Sequence, residues 1–132
     1  MKLRIRGNSI RLRLGRGEVA SLLENGRVEE ATEFGAGPRF EYALRTSSSV
    51  PRPSASFRDG RIEVLLPTQL ARDWADSEEV GISADQPLGP QEGPGSLQLL
   101  IEKDFACLKA PPNEDQSDAF PHPEDAQCKA DE

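Results

Sequence analysis

Apolar and polar side chains alternate along the first fourteen residues, and this alternation constrains the fold more than any other feature of the chain. A period of two residues is typical of a β-strand with one buried face. Gly7 and Asn8 separate two alternating runs and fit a two-residue hairpin turn, which needs positive φ. In that register Leu3 faces Leu12, and both lie on the apolar side. The chain is therefore predicted to begin with an antiparallel hairpin that has one apolar and one basic face.

The rest of the chain continues this pattern of hairpins and adds two short helices. Residues 15–26 are predicted to form an amphipathic helix, and Gly26 is suited to end it in the left-handed conformation. Pro67 is predicted to open the second helix, with Leu70 and Trp74 four residues apart on one face. The predicted strands cover residues 3–5, 10–14, 27–34, 40–45, 55–57, 62–66, 79–84 and 97–103.

The two halves of this pattern also resemble each other in sequence. Residues 9–14, Ser-Ile-Arg-Leu-Arg-Leu, align with residues 61–66, Arg-Ile-Glu-Val-Leu-Leu, and each segment leads into a predicted helix. This similarity is consistent with a duplicated hairpin–helix–hairpin unit over residues 1–46 and 54–104. The predicted fold class is α+β, with an antiparallel sheet of about eight strands that can curl toward a barrel and two short helices on its apolar face.

Composition separates a folded domain from an acidic tail. A length of 132 residues suits one domain. Apolar positions recur through residue 108, whereas residues 109–132 are acidic and nearly devoid of aliphatic side chains. We therefore predict a single domain over residues 1–108 and a flexible tail over residues 109–132. Phe120 is the only large apolar residue of the tail and is its candidate anchor.

Net charge and hydropathy narrow the range of partners. The formal net charge is −7 and the sequence pI is about 4.8, so neither a nucleic acid nor an anionic membrane is an expected partner. No apolar run approaches the roughly 18 residues of a membrane span, and the first residues lack the apolar core of an export signal. These features predict a cytoplasmic location.

The polar face of the first hairpin carries the most informative group of charges. The predicted register places Arg4 opposite Arg11 and Lys2 opposite Arg13, and like charges opposed across strands are destabilising. Phosphate and other anions would compensate, because guanidinium groups hold phosphate oxygens in pairs. The candidate anion-binding residues are Lys2, Arg4, Arg6, Arg11 and Arg13.

Two alternatives need no small ligand. The first is a solvated face paired within the molecule, for which the candidate acidic counterparts are Glu29, Glu33, Glu41, Glu63 and Glu102. The second is contact with an acidic protein segment, including this protein's own tail. The sequence thus favours a non-enzymatic binding or regulatory module whose basic face meets a small anion or an acidic segment.

An enzymatic alternative uses the same charges in another geometry. A closed barrel lined by Arg, Lys and Glu would be similar to the triphosphate tunnel metalloenzymes, in which acidic residues bind a divalent metal for phosphohydrolysis. The Glu-x-Glu-x-Lys start of that family is replaced here by Lys-Leu-Arg-Ile-Arg at residues 2–6.

Other catalytic or metal-binding patterns are weak. The single histidine, His122, lies in the tail, so no base is available locally for a serine or cysteine nucleophile. Cys107, His122 and Cys128 lack the close ligand pairs of structural zinc sites. No catalytic residue, metal ligand or cofactor is therefore assigned.

Four segments resemble a family of short, uncharacterised bacterial proteins. They are residues 1–14, Met-Lys-Leu-Arg-Ile-Arg-Gly-Asn-Ser-Ile-Arg-Leu-Arg-Leu, residues 74–82, residues 100–108, Leu-Ile-Glu-Lys-Asp-Phe-Ala-Cys-Leu, and residues 118–121. The resemblance spans nearly the whole chain. That family is a domain of unknown function, so the resemblance implies no activity, cofactor or partner.

Overall fold

The computed structural model describes residues 1–89, 95–104 and 120, and in this part of the chain it has eight strands and two helices. The strands are β1 (Lys2–Arg6), β2 (Ser9–Leu14), β3 (Arg27–Thr32), β4 (Phe40–Ser47), β5 (Ser54–Arg58), β6 (Arg61–Pro67), β7 (Gly81–Pro87) and β8 (Ser96–Lys103). The helices are α1 (Arg16–Asn25) and α2 (Thr68–Ala75). Neither helix has the length and apolar character that crossing a membrane requires.

Turn residues account for two of the hairpins. Gly7 has a φ of +54° in the two-residue turn between β1 and β2. Between β5 and β6, Asp59 and Gly60 have φ values of +54° and +75°. Positive φ at both central residues is the requirement of a type I′ turn, which matches the twist of the flanking strands. Both hairpins were predicted, and both are confirmed.

The eight strands form two sheets rather than one. The first sheet has the order β1-β2-β8-β7 and the second has the order β3-β4-β6-β5. In each sheet the two central strands are parallel, β2 with β8 and β4 with β6, while the outer pairs are antiparallel hairpins. The prediction of a single antiparallel sheet is therefore corrected to two mixed sheets, and they do not close into a barrel. Turn residues predict pairing only between strands that are neighbours in sequence. The parallel pairs join strands that are distant in sequence, so no local pattern predicts them.

The two halves of the chain occupy equivalent places in this topology. Exchanging β1-β2-α1-β3-β4 for β5-β6-α2-β7-β8 exchanges the sheets and reproduces both parallel pairs. The register of the parallel pairs repeats as well. Ile10 of β2 pairs with Leu99 of β8, and the equivalent residue of β6, Ile62, pairs with Tyr42 of β4. A duplicated unit would produce this arrangement.

The apolar faces of the two sheets enclose one core. Its largest fully buried side chains are Trp74, Leu12, Leu14, Leu22, Leu44, Leu66, Leu99, Ile101 and Val64. Helix α1 contributes Leu22 and ends at Gly26, whose φ is +81° and whose N–H donates to Leu22 O at 2.9 Å. Helix α2 buries Ala71 and Trp74, whereas Leu70 is 36% exposed. The predicted Leu70–Trp74 face is thus corrected in part: Trp74 is buried as expected, but Ala71 rather than Leu70 shares its buried face.

The helices and the hairpin turns lie at opposite ends of the molecule. Helix α1 leads from the end of β2 in the first sheet to β3 in the second, and α2 leads from the end of β6 back to β7. One edge between the sheets is joined by the side chain of Gln86, which accepts from Ala55 N–H at 2.6 Å and donates to Ala55 O at 3.0 Å. The amide of Gln86 therefore takes the place of a backbone group between β7 and β5.

Candidate anion-binding site

The polar side of the first hairpin forms a face of basic side chains. The observed register places Lys2 opposite Arg13 and Arg4 opposite Arg11, as the alternation of the sequence predicts. Because Leu12 and Leu14 occupy the buried side of β2, its arginines must lie on the outer side of the first sheet. We call Lys2, Arg4, Arg6, Arg11 and Arg13 the basic face.

A small pocket lies within the basic face. Arg4, Arg6, Ser9 and Arg11 line a cavity of about 150 Å³. The Ser9 hydroxyl donates to Arg6 O at 2.8 Å and so ties the two ends of the hairpin turn together. Three arginines and a serine therefore line one concave site at a sheet edge.

Among the described residues, two carboxylates form ion pairs with the basic face. Glu102 Oε1 lies 3.5 Å from Arg11 Nε and 3.8 Å from Arg13 Nε. Asp104 contacts Lys2 Nζ at 3.1 Å and Arg13 Nη2 at 3.8 Å. Arg13 Nε is buried and has no hydrogen-bond partner in the described part of the chain. These are mostly long charge contacts rather than well-formed hydrogen bonds.

Of the five predicted acidic counterparts, the structure brings only Glu102 to the basic face. The other four belong to the second sheet and its β3–β4 loop and pair with arginines there. Arg61 bonds Glu41 at 3.0 Å and Glu29 at 3.2 Å. The remaining bonds are Arg39 to Glu33 at 3.1 Å, Arg39 to Glu41 at 2.8 Å and Arg45 to Glu63 at 3.2 Å. The second sheet thus has an internally paired polar face.

The pairing in the second sheet is reflected in the titration of its charged groups. The hydrogen bond from Arg61, followed by that from Arg39, lowers the pKa of Glu41 below its usual value of 4.5. A wide, open hollow of about 870 Å³ lies over this network beside α1. Two of the arginines that line this hollow, Arg45 and Arg61, are bonded to glutamates of the same sheet.

Sequence reasoning missed Asp104 as a partner of the basic face. Residues 102 and 104 follow the alternation of β8, so they share one side of the first sheet. That alternation is visible in the sequence. What is not visible is that β8 lies parallel beside β2 and so brings Asp104 to Lys2 and Arg13.

The α-amino group of Met1 also lies between two carboxylates. It contacts Glu18 and Glu30, and Tyr42 Oη donates to Met1 O at 2.9 Å. Burial alone would lower the pKa of the Met1 amino group, but hydrogen bonds and charges from the two glutamates raise it above 8.0. Glu18 in addition accepts from Gly15 N–H at 2.9 Å at the start of α1. The contacts of Met1 thus join the residue that precedes β1 to α1, β3 and β4.

Phe120 is the one described residue of the acidic tail, and it is packed against the domain. Its N–H donates to Asp104 O at 2.7 Å. Lys103 lies over the rings of Trp74 and Phe120, at 5.8 Å and 5.6 Å from their centroids, and donates to Ser77 O at 2.6 Å. Cys107, His122, Cys128 and the rest of the predicted flexible tail lie outside the described residues.

The buried Lys103 predicts a specific pH dependence. Burial lowers the pKa of Lys103 below 10.5, against the opposing charges of Glu79 and Glu78. The folded state then binds fewer protons than the unfolded state between the lowered pKa and 10.5, so the free energy of unfolding gains a contribution that rises with pH in this window. Urea unfolding at pH 8 and pH 10 measures this contribution. From pH 8 to pH 10, the free energy of unfolding should rise more for wild type than for Lys103→Met. Parallel pH curves for the two proteins would contradict the prediction.

The phosphohydrolase alternative requires a closed polar tunnel, and the described residues do not form one. The two sheets enclose aliphatic side chains, and the arginines and glutamates lie on their outer faces. Within residues 1–89, 95–104 and 120, no three His, Cys, Asp or Glu residues cluster as metal ligands would.

These observations define an α+β protein of two mixed sheets with a basic pocket on the outer face of one of them. The chain belongs to DUF7009, a family of unknown function whose sequence profile matches residues 1–124. No curated protein matches the chain. No solved structure matches it either.

Proposed function

We propose that this protein is a non-enzymatic binding module whose basic face takes a small anionic group such as a phosphate. The observation that carries the proposal is the pocket of Arg4, Arg6, Ser9 and Arg11. Guanidinium groups bind phosphate oxygens through paired, charge-assisted hydrogen bonds. The pocket is lined by three arginines, which can supply such bonds together.

The cross-strand register supports an external anion energetically. Arg4 lies opposite Arg11 and Lys2 opposite Arg13, and such pairs oppose the formation of the hairpin. Among the described residues, Glu102 and Asp104 form ion pairs with Lys2, Arg11 and Arg13 of the basic face. An anion in the pocket would add negative charge where the basic residues are most concentrated.

A specific observation also favours the protein's own acidic tail as an occupant. Phe120 bonds to Asp104, and Asp104 in turn contacts Lys2 and Arg13. Phe120 therefore lies next to a residue that contacts the basic face. The tail, residues 109–132, includes seven acidic residues and two lysines. In this version the tail competes with a small anion for the same arginines.

Pyrophosphate should raise the melting temperature of wild type at low ionic strength, and Arg4→Ala should lose most of that response. A ligand that binds only the folded state stabilises it by about 2.7 kcal/mol at a hundredfold excess over Kd. The matched control is Arg58→Ala, which removes the same charge from an edge strand of the second sheet. We expect Arg58→Ala to keep the response of wild type.

The same experiment separates the alternatives. A chain that ends at Leu108 should bind pyrophosphate more tightly than wild type if the tail is a competitor. If pyrophosphate leaves wild type unchanged and Arg4→Ala is destabilised by about 0.2–1 kcal/mol, the basic face is a solvated ion-pair network. That result would end the proposal.

A further inference from the structure

The end of the molecule that carries the hairpin turns contains an apolar cleft between the two sheets. The cleft has a volume of about 440 Å³. The first sheet contributes Ile5, Ile10 and Leu97 to its lining, and the second contributes Phe40, Ala55, Phe57 and Ile62. Ile5 is 54% exposed and Phe57 is 68% exposed, although both follow the inward alternation of their strands.

The two walls of the cleft are built from equivalent positions of the two halves. Ile10 corresponds to Ile62, Ile5 to Phe57 and Leu97 to Phe40, because the ladder registers repeat with constant offsets. At the other end of the molecule, α1 and α2 cover the same interior with Leu22 and Trp74. In the described part of the chain, the cleft is therefore the end of the core that neither helix covers.

The cleft and the anion pocket lie on the two sides of one edge strand. Ile5 of β1 lines the cleft, while its neighbours Arg4 and Arg6 line the pocket. On β2, Ile10 lines the cleft and Ser9 and Arg11 line the pocket. Because β1 is the outermost strand of the first sheet, a ligand can pass around it without crossing a sheet.

We propose that the ligand of the basic face is an amphipathic anion, with its anionic group at the arginine pocket and an aliphatic chain in the cleft. This inference rests on the proposed function and adds an aliphatic chain to the anionic group of the ligand. The arginines match the charge of the anionic group, and the cleft has no charged residue in its lining. A volume of about 440 Å³ lies within the roughly 300–1,000 Å³ of small-molecule sites. Because the cleft is concave, it suits one aliphatic chain of a small ligand better than the flat surface of a partner protein.

The test is a titration of wild type with a series of alkyl phosphates, from methyl to octyl, below the concentrations at which they form micelles. Burial of each methylene group is worth up to about a fourfold change in affinity. We expect Kd to fall by severalfold with each added pair of methylene groups, until the cleft is filled. Inorganic phosphate supplies the reference without a chain.

Substitutions of exposed residues that line the cleft test whether the alkyl chain binds there. Phe57→Ser and Ile5→Ser should flatten the dependence on chain length and leave the affinity for methyl phosphate unchanged. Both side chains are more than half exposed, so these variants retain the buried core. The matched control is Phe34→Ser, since Phe34 is 70% exposed but does not line the cleft. We expect Phe34→Ser to bind the whole series like wild type.

The outcomes distinguish the two proposals. If methyl phosphate binds and longer chains bind no better, the anion site stands and the amphipathic ligand is overturned. If no phosphate binds at all, both proposals fail. A concentration-dependent dimer in sedimentation that Phe57→Ser abolishes would assign the cleft to a second copy of the chain and overturn the inference.

Discussion

Replacing Trp74 by Ala is expected to lower the free energy of unfolding by about 3–5 kcal/mol, as for other buried aromatic side chains. The side chain is 1% exposed and lies in the core between the two sheets. Its Nε1–H donates to Val80 O at 3.2 Å, and Lys103 lies over its ring. The substitution therefore removes a large apolar volume, a hydrogen bond to the segment that leads into β7, and one of the two rings beside a buried amine. Urea unfolding followed by far-ultraviolet circular dichroism measures the loss.

Trp74→Phe is the matched control, because it keeps most of the ring volume and loses the N–H donor. We expect Trp74→Phe to lower the free energy of unfolding clearly less than Trp74→Ala does. Trp74 is the only tryptophan of the chain, so its fluorescence reports its own environment. A native emission maximum at the position of water-exposed indole, or a loss below about 1 kcal/mol for Trp74→Ala, would contradict the burial on which this prediction depends.

Gly81→Ala is expected to destabilise the protein by about 1–3 kcal/mol through overpacking. A Cβ atom on Gly81 would lie 2.9 Å from the carbonyl oxygen of Ile101 and 3.1 Å from Cγ of Glu102. The first neighbour is backbone, so β7 would have to move away from β8. Because Glu102 pairs with Arg11 and Arg13, the same movement should also disturb the basic face. Chemical denaturation of the variant gives the change in free energy.

Gly89→Ala is the control for this prediction. A Cβ atom on Gly89 would meet nothing within 4 Å, so the same change of residue adds no clash. We expect Gly89→Ala to differ from wild type by less than about 0.5 kcal/mol. Equal effects of the two substitutions would show that β7 and β8 are not packed as closely as the structure indicates.

The duplicated topology explains why only one outer face is basic. Arg11 of β2 corresponds to Glu63 of β6, and Glu102 of β8 corresponds to Arg45 of β4. Glu63 and Arg45 bond at 3.2 Å, and their equivalents Arg11 and Glu102 form an ion pair at 3.5 Å. The difference lies in the neighbouring edge strand, where Arg4 faces Arg11 but the uncharged Ser56 faces Glu63. Equivalent positions of the two halves thus carry opposite charges. A paired face and a basic face result from one backbone arrangement.

The sequence by itself determined the local part of this fold. The alternation of Leu3, Ile5, Ile10 and Leu12 and the turn at Gly7 led to the correct register of the first hairpin, and with it to the cross-strand arginine pairs. Gly26 gave the end of α1 correctly. All of these features depend on residues within about ten positions of one another, where period, turn chemistry and capping act directly.

Only the tertiary structure decided which strands meet across the molecule. The parallel pairs β2–β8 and β4–β6 join segments from different halves, and they divide the predicted single sheet into two. They also bring Glu102 and Asp104 to the basic face and leave Glu29, Glu33, Glu41 and Glu63 on the other sheet. Such pairings are selected by the burial of whole apolar faces, and many long-range arrangements bury similar faces. The local sequence pattern therefore predicted the basic face, and the packing of the two sheets decided its acidic partners and placed an apolar cleft beside it.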